Sequence, residues 1–151
     1  VAAVAKELHG AAEFRVLGSS EIGACALAEF RRYVDVLGRV PRSQVREHFL
    51  WADVFLLPSI CEGSSVACYE ALAHGLPVIT TKNAGSVVRD SIEGFIVPIR
   101  DTSAIIEKIE RLRSAPELLE QISQQASRRA SQFTLDAYGT RLLEALGEKI
   151  E

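Results

Sequence analysis

Three short apolar runs, each bounded by turn residues, constrain the fold of this chain more than any other feature of its sequence. They are VFLLP at 54–58, VIT at 78–80 and FIV at 95–97. A continuous apolar run of this length indicates a strand that is covered on both faces, as in a parallel sheet. Because parallel strands need crossover connections, which are usually helices, the runs predict an α/β fold.

The rest of the sequence continues this alternation. We predict two further strands, at 13–17 and 34–37, and helices at 1–9, 20–32, 41–51, 64–74 and, briefly, 85–90. From Asp101 onward the pattern is helical, with Pro116 starting a second helix and Thr134 capping a last one. The expected fold is a Rossmann-like parallel sheet with helices on both faces and a helical C-terminal tail.

Composition narrows the classes of partner. The chain has 151 residues, of which 48% are hydrophobic and 25% charged, and its formal net charge is −3. This balance argues against a nucleic acid or a membrane surface as the main partner, and no transmembrane run or signal peptide is evident. Cys25, Cys61 and Cys68 fit no metal-ligand spacing, so we expect no metal site and a reducing, cytoplasmic location.

Two glutamates, Glu62 and Glu70, mark a candidate ligand site. Glu62 comes just after the 54–58 strand, and ligands of parallel sheets bind at the carboxyl ends of the strands. Glu70 is the lone acid in an otherwise apolar helix, which we expect to be buried all round. A buried carboxylate needs a partner. That partner is either a vicinal diol, such as a ribose, or an internal ion pair or backbone group.

The loop between these glutamates predicts an anion site. Gly63, Ser64 and Ser65 are small enough to let a ligand approach the backbone, and either serine is a suitable N-cap. The free N–H groups and the dipole of the following helix favour a phosphate. The structural alternative is a capped helix with a serine-rich turn, and the loop alone leaves both open.

The segment around the two glutamates resembles a known family. Seven residues separate Glu62 from Glu70, and the flanks are Leu57-Pro58-Ser59 before them and Ala71–Ile79 after them. This pattern is similar to that of the retaining glycosyltransferases of the GT-B fold, the nucleotide-sugar-dependent group 1 family. The resemblance extends more loosely over most of the chain.

The resemblance implies a role for each matching residue. Glu62, the catalytic candidate, would contact hydroxyls of the transferred sugar, and Glu70 would bind the ribose hydroxyls. Arg39 and Val40, in the turn after Gly38, would lie against the base. The backbone amides expected to hold the sugar and the diphosphate are those of Gly63, Ser64, Ser65 and Val66.

The resemblance also implies a reaction. A hexosyl group would pass from an NDP-sugar to an acceptor hydroxyl with the anomeric configuration kept, and the leaving diphosphate would help to deprotonate the acceptor. No cofactor or metal is implied beyond the donor substrate. The acceptor (a sugar, a lipid or a small molecule) is not specified. Alternatives are a non-catalytic nucleotide-binding module on the same fold and a GT-B nucleotide-sugar epimerase.

The last expectation concerns domain organisation. Relatives carry an N-terminal acceptor domain and a first strand with a basic pair, and this chain begins after both. We therefore expect residues 1–151 to be one nucleotide-sugar-binding domain, inactive in transfer by itself, from an enzyme that is peripheral at the membrane. In the strand order 3-2-1-4-5-6 the absent strand is central. Three arrangements would then complete the sheet between the 13–17 and 54–58 strands. The missing strand comes from the same polypeptide, a second copy of the chain donates one, or the two strands pair directly with each other.

Overall fold

The computed structural model describes residues 1–147, which form the predicted α/β fold with parallel strands. In chain order its elements are α1 (Ala2–Glu7), β1 (Arg15–Leu17), α2 (Ala24–Phe30), β2 (Asp35–Gly38), α3 (Arg42–Trp51), β3 (Phe55–Leu57), α4 (Val66–Ala73), β4 (Val78–Thr81), β5 (Gly94–Val97), α5 (Thr102–Ser114), α6 (Pro116–Ala130) and α7 (Leu135–Ala145). None of the described helices is long and apolar enough to cross a bilayer.

The strands form two groups rather than one continuous sheet. β1 pairs with β2, and β4 lies between β3 and β5, with every pairing parallel. Among residues 1–147, β1 and β3 share no ladder, so the two halves do not pair directly with each other. One edge of β1 and one edge of β3 therefore carry backbone groups that no described strand pairs.

The hydrophobic core lies on both faces of the β3-β4-β5 sheet. Successive β4 side chains point to opposite faces. Val78 packs in a cluster with α4, and Ile79 packs in a second cluster with α1 and α5. Helix α6 contributes to both, with Ile122 in the second cluster and Ala126 in the first. This arrangement explains why β4 is buried at all four positions.

The three C-terminal helices begin as the sequence predicts. Asp101 accepts a hydrogen bond from the Ala104 N–H at 2.9 Å, and Thr134 accepts one from the Ala137 N–H at 3.2 Å. Pro116 is the first residue of α6, where its missing N–H group costs nothing. The predicted helical tail is therefore confirmed as α5, α6 and α7.

Several local predictions were wrong. The short helix near 85–90 is instead a 3₁₀ turn at Lys82–Ala84 followed by irregular chain. Gly85 stops that turn with a left-handed φ of 58°, and the β-branched pair Val87-Val88 follows. The strand at 54–58 packs on both faces as predicted, with Leu56 against one core cluster and Phe55 and Leu57 against the other, but β3 is only half-buried and one of its edges pairs with no described strand. Helix α2 is confined to Ala24–Phe30 and has no buried residue.

Candidate functional site

The loop after β3 is held against the segment after β4. The Glu62 N–H donates to the Asn83 carbonyl at 2.9 Å, and the Asn83 side-chain amide donates to the Ile60 carbonyl at 2.9 Å. The Thr81 hydroxyl donates to the Ser59 carbonyl at 2.5 Å. Because all three bonds tie loop backbone to a neighbouring strand end, the loop conformation is fixed without any ligand.

The backbone at the start of α4 offers several free donors. Ser65 occupies the N-cap position with extended backbone, but its side chain makes no capping hydrogen bond. The prediction of a serine at the N-cap position is therefore confirmed, but the predicted hydrogen bond to its side chain is absent. The N–H groups of Gly63, Ser64, Ser65 and Val66 have no hydrogen-bond acceptor among residues 1–147. Three of these residues are exposed, and only Ser65 is buried.

Glu62 lies exposed beside these donors. The Ser59 hydroxyl donates to Glu62 Oε1 at 2.6 Å. This bond restricts the carboxylate to one side of the loop and leaves Oε2 without a partner among the described residues. A charge-assisted bond of this kind is short and strong. Glu62 is therefore an oriented acceptor for hydroxyl groups.

Glu70 lies in a different setting from the one predicted. Helix α4 buries only one face, with Cys68, Ala71 and Leu72 inside, while Val66 at its start is exposed. The expectation of a helix buried all round is therefore wrong. The composition of α4 is hydrophobic because its residues are small and apolar, but other elements pack against only one of its faces.

The Glu70 carboxylate points away from the buried face of α4 and forms an ion pair with Arg42. The Glu70 side chain is 26% exposed, and the Arg42 side chain is 83% exposed. The partner is therefore a cation at the surface and not an internal one. Because Arg42 begins α3, directly after the β2 turn, the pair joins that turn to α4.

The turn after β2 has the shape that close approach of a ligand requires. Gly38 has a positive φ of 70°, and its carbonyl accepts a hydrogen bond from the Gly18 N–H at 2.8 Å. Arg39 is exposed and Val40 is half-buried. Arg39 has no ion-pair partner in the described part of the chain, so its guanidinium is available to a ligand.

Sequence reasoning missed Arg42, Ser59 and Asn83 as parts of this region. Nothing in the spacing of the chain connects Arg42 to Glu70, which is 28 positions away. Ser59 was used only as a flank of the family motif, and Asn83 lay in a segment that was interpreted as a turn. A possible signal was the spacing of Ser59 three residues before Glu62, which suits a local hydrogen bond in a loop.

The cysteines near the site have different environments. Cys61 is exposed, whereas Cys68 is buried under the loop. Burial raises the pKa of the Cys68 thiol, which keeps it protonated and unreactive. No three His, Cys, Asp or Glu side chains in the described residues are grouped so that they could hold a metal ion.

Comparison with known proteins identifies the family. Residues 1–115 match the family described as "Glycosyl transferases group 1". The chain belongs to this family. One relative is the amylovoran biosynthesis glycosyltransferase AmsK of Erwinia amylovora. It is 28% identical to this chain over 122 residues, which are 72% of this chain and 30% of AmsK. The putative colanic acid biosynthesis glycosyltransferase WcaL of Escherichia coli K12 is 34% identical over 117 residues, 69% of this chain and 29% of WcaL.

Solved structures whose sequences have low identity to this chain share its fold. Anabaena HepE in complex with UDP and glucose superposes with a TM-score of 0.80 at 17% identity, covering 97% of this chain and 43% of HepE. TarM superposes with a TM-score of 0.78 at 16% identity, covering 94% of this chain and 30% of TarM. The chain therefore spans about a third of the length of the relatives it matches, and it shares the α/β fold of the matching part of these proteins.

Proposed function

We propose that this chain is the donor-binding domain of a retaining glycosyltransferase that transfers a hexosyl group from an NDP-sugar to an acceptor hydroxyl. One observation carries the proposal. Four backbone N–H groups without acceptors, from Gly63 to Val66, stand at the N-terminus of α4, one helical turn from the Glu70 carboxylate. Free donors and a carboxylate on the same helix would suit the diphosphate and the ribose of a nucleoside diphosphate.

The diphosphate would bind the free N–H groups of Gly63, Ser64, Ser65 and Val66. The positive end of the α4 dipole adds to this attraction. Glu62 would not touch the diphosphate, because like charges repel. Its carboxylate, held by Ser59, would instead accept hydrogen bonds from hydroxyls of the sugar.

The nucleoside would lie across the gap between the two strand groups. Glu70 would accept hydrogen bonds from the ribose hydroxyls, and the base would lie against Arg39 and Val40. Support comes from the ion pair of Glu70 with Arg42, which brings the β2 turn next to α4. HepE, which has this fold, has been solved with UDP and with UDP-glucose.

In the reaction, the bond between the anomeric carbon and the diphosphate oxygen breaks. A bond from the acceptor oxygen to the same carbon forms on the same face of the sugar. The acceptor proton passes to the leaving diphosphate. The amides at the start of α4 stabilise the negative charge that develops on the diphosphate, because they are already oriented before reaction.

We also propose that the complete protein holds a further parallel strand between β1 and β3, together with a separate domain for the acceptor. The Phe55 N–H donates to Pro77 in the β4 direction, so the next residue, Leu56, directs its N–H to the free edge. Unpaired backbone at a half-buried edge is costly. Hydrogen exchange of the Leu56 amide should be slow in the complete protein and fast in residues 1–151. Equal exchange in both would contradict the strand.

Isothermal titration with UDP, GDP and ADP tests the donor site. We expect one of the three to bind more tightly than inorganic diphosphate, because both the anion site and Glu70 contribute. Binding of inorganic diphosphate alone would contradict a nucleoside site. Transfer is tested on the complete protein by following the anomeric proton of the product by NMR, and inversion of configuration would contradict the retaining mechanism.

A further inference from the structure

Arg42 is the side chain that stands between Glu70 and solvent. Its guanidinium contacts Glu70 Oε1, and Glu70 is only 26% exposed. The Arg42 side chain itself is 83% exposed, so the guanidinium meets the carboxylate at the surface of the protein. A ligand that engages Glu70 Oε1 from solvent therefore meets this guanidinium.

The ion pair uses the same acceptor atoms that a diol would use. A carboxylate binds a vicinal diol with one hydroxyl on each oxygen. Within residues 1–147, Glu70 Oε2 has no donor, whereas Oε1 is occupied by Arg42. Oε1 keeps a second lone pair, but a diol that engages both oxygens has to compete with the guanidinium for the space around Oε1.

Opening this pair is feasible. An exposed ion pair contributes little net stability, because water solvates both charges and the long side chains lose freedom when they are fixed. Arg42 has no other hydrogen bond or ion pair among the described residues, so its release breaks no second contact. The cost of release is nevertheless subtracted from the affinity for any ligand that needs both oxygens.

We propose that Arg42 masks Glu70 in the unliganded protein and that ribose binding displaces it, so that Arg42 sets how strongly the site prefers a ribonucleotide. This inference rests on the proposed ribose role of Glu70. It assigns to Arg42 a positioning and specificity role that operates through Glu70. A 2′-deoxynucleotide lacks one hydroxyl of the diol and does not need the pair to open.

The test compares the dissociation constants of a ribonucleoside diphosphate and its 2′-deoxy counterpart, choosing the base that binds best among UDP, GDP and ADP. The ribose preference is the ratio of the 2′-deoxy value to the ribo value. Arg42→Gln should tighten binding of the ribonucleotide about two- to fivefold and leave the deoxynucleotide unchanged. Arg46→Gln is the matched control, since Arg46 is exposed on the same helix and carries the same charge.

Salt provides a second readout. Both ligands carry the same diphosphate, so its salt dependence cancels in the ribose preference. Salt screens the exposed Arg42–Glu70 pair. The preference should therefore rise with ionic strength in the wild-type protein and stay flat in Arg42→Gln, whereas a purely structural role of Arg42 would not change this slope.

The outcomes separate this inference from the proposed function. If the wild-type protein binds the nucleotide and Glu70→Gln weakens it, but Arg42→Gln behaves as Arg46→Gln, Arg42 shares Glu70 with the ribose and the masking role is overturned. Weaker ribonucleotide binding in Arg42→Gln would also overturn it, since Arg42 would then contact the ligand. If Glu70→Gln has no effect, the ribose role itself fails, and the masking role fails with it.

Discussion

Gly85 lies directly against Gly63, so that a Cβ atom at position 85 would come within 1.9 Å of the Gly63 carbonyl oxygen. Gly85 also has a left-handed φ of 58°, which side chains of L-residues rarely adopt. The segment after β4 thus lies against the peptide unit that carries the free Ser64 N–H group. The shape of the anion site depends on a residue 22 positions away in sequence.

Gly85→Ala should therefore damage both stability and binding. The methyl group would push the Gly63 peptide away, and the left-handed backbone would be strained. We expect the free energy of unfolding to fall by about 1–3 kcal/mol. Nucleoside diphosphate affinity should fall with it.

Gly139→Ala is the matched control, because Gly139 lies inside α7 with no atom within 4 Å of an added Cβ. The same substitution there should raise the unfolding free energy by about 1 kcal/mol, the usual gain of alanine over glycine in a helix. Denaturant titration measures both. Equal effects of the two substitutions would show that the contact with Gly63 has no energetic weight.

Glu70→Gln keeps the size of the side chain and removes its charge. Nucleoside diphosphate binding should weaken by about 1.5 kcal/mol, the lower end for charge-assisted hydrogen bonds, because Glu70 is partly exposed. Isothermal titration measures the change. Glu110→Gln, at an exposed position of α5, is the control for loss of one negative charge. An unchanged affinity for the nucleotide in Glu70→Gln would refute the ribose role.

Ser59→Ala removes the hydroxyl that orients Glu62. The affinity for the NDP-sugar should fall by about 1 kcal/mol, while the affinity for the NDP alone stays the same, because only the sugar contacts Glu62. Titration with both ligands separates the two effects. Ser131→Ala removes an exposed serine hydroxyl that bonds only to the Arg128 carbonyl and serves as control. An equal loss for both ligands would place Glu62 at the phosphate instead.

Thiol labelling reports on the loop without any substitution. Cys25 and Cys61 are exposed and should react rapidly with a thiol reagent at pH 8. Cys68 should react only after unfolding, because it is buried and its thiol pKa is raised by that burial. A bound NDP-sugar should slow Cys61, which precedes Glu62, and leave Cys25 unchanged. Protection of neither thiol would place the ligand away from this loop.

The order and type of the main elements could be predicted from sequence because they depend on local patterns. The apolar runs at β4 and β5, the proline that opens α6, and the caps at Asp101 and Thr134 all act over a few residues. Element ends were less accurate, since fraying and capping decide them. The prediction for the segment after β4 was wrong because Gly85 takes a left-handed φ and lies against Gly63, a contact that the local pattern does not reveal.

The sequence by itself determined the family motif, the place of Glu62 and Glu70, and the small residues whose backbone N–H groups form the candidate anion site. Only the tertiary structure decided what surrounds them. It showed that α4 buries one face and that the Ser65 side chain makes no capping hydrogen bond. It also showed that Ser59 donates to Glu62 and that Arg42 forms an ion pair with Glu70. The physical reason is the sequence separation of the residues involved. Motifs and periodicity are properties of residues that are close together in the sequence. Burial and ion pairing instead depend on which distant segments meet at the strand ends.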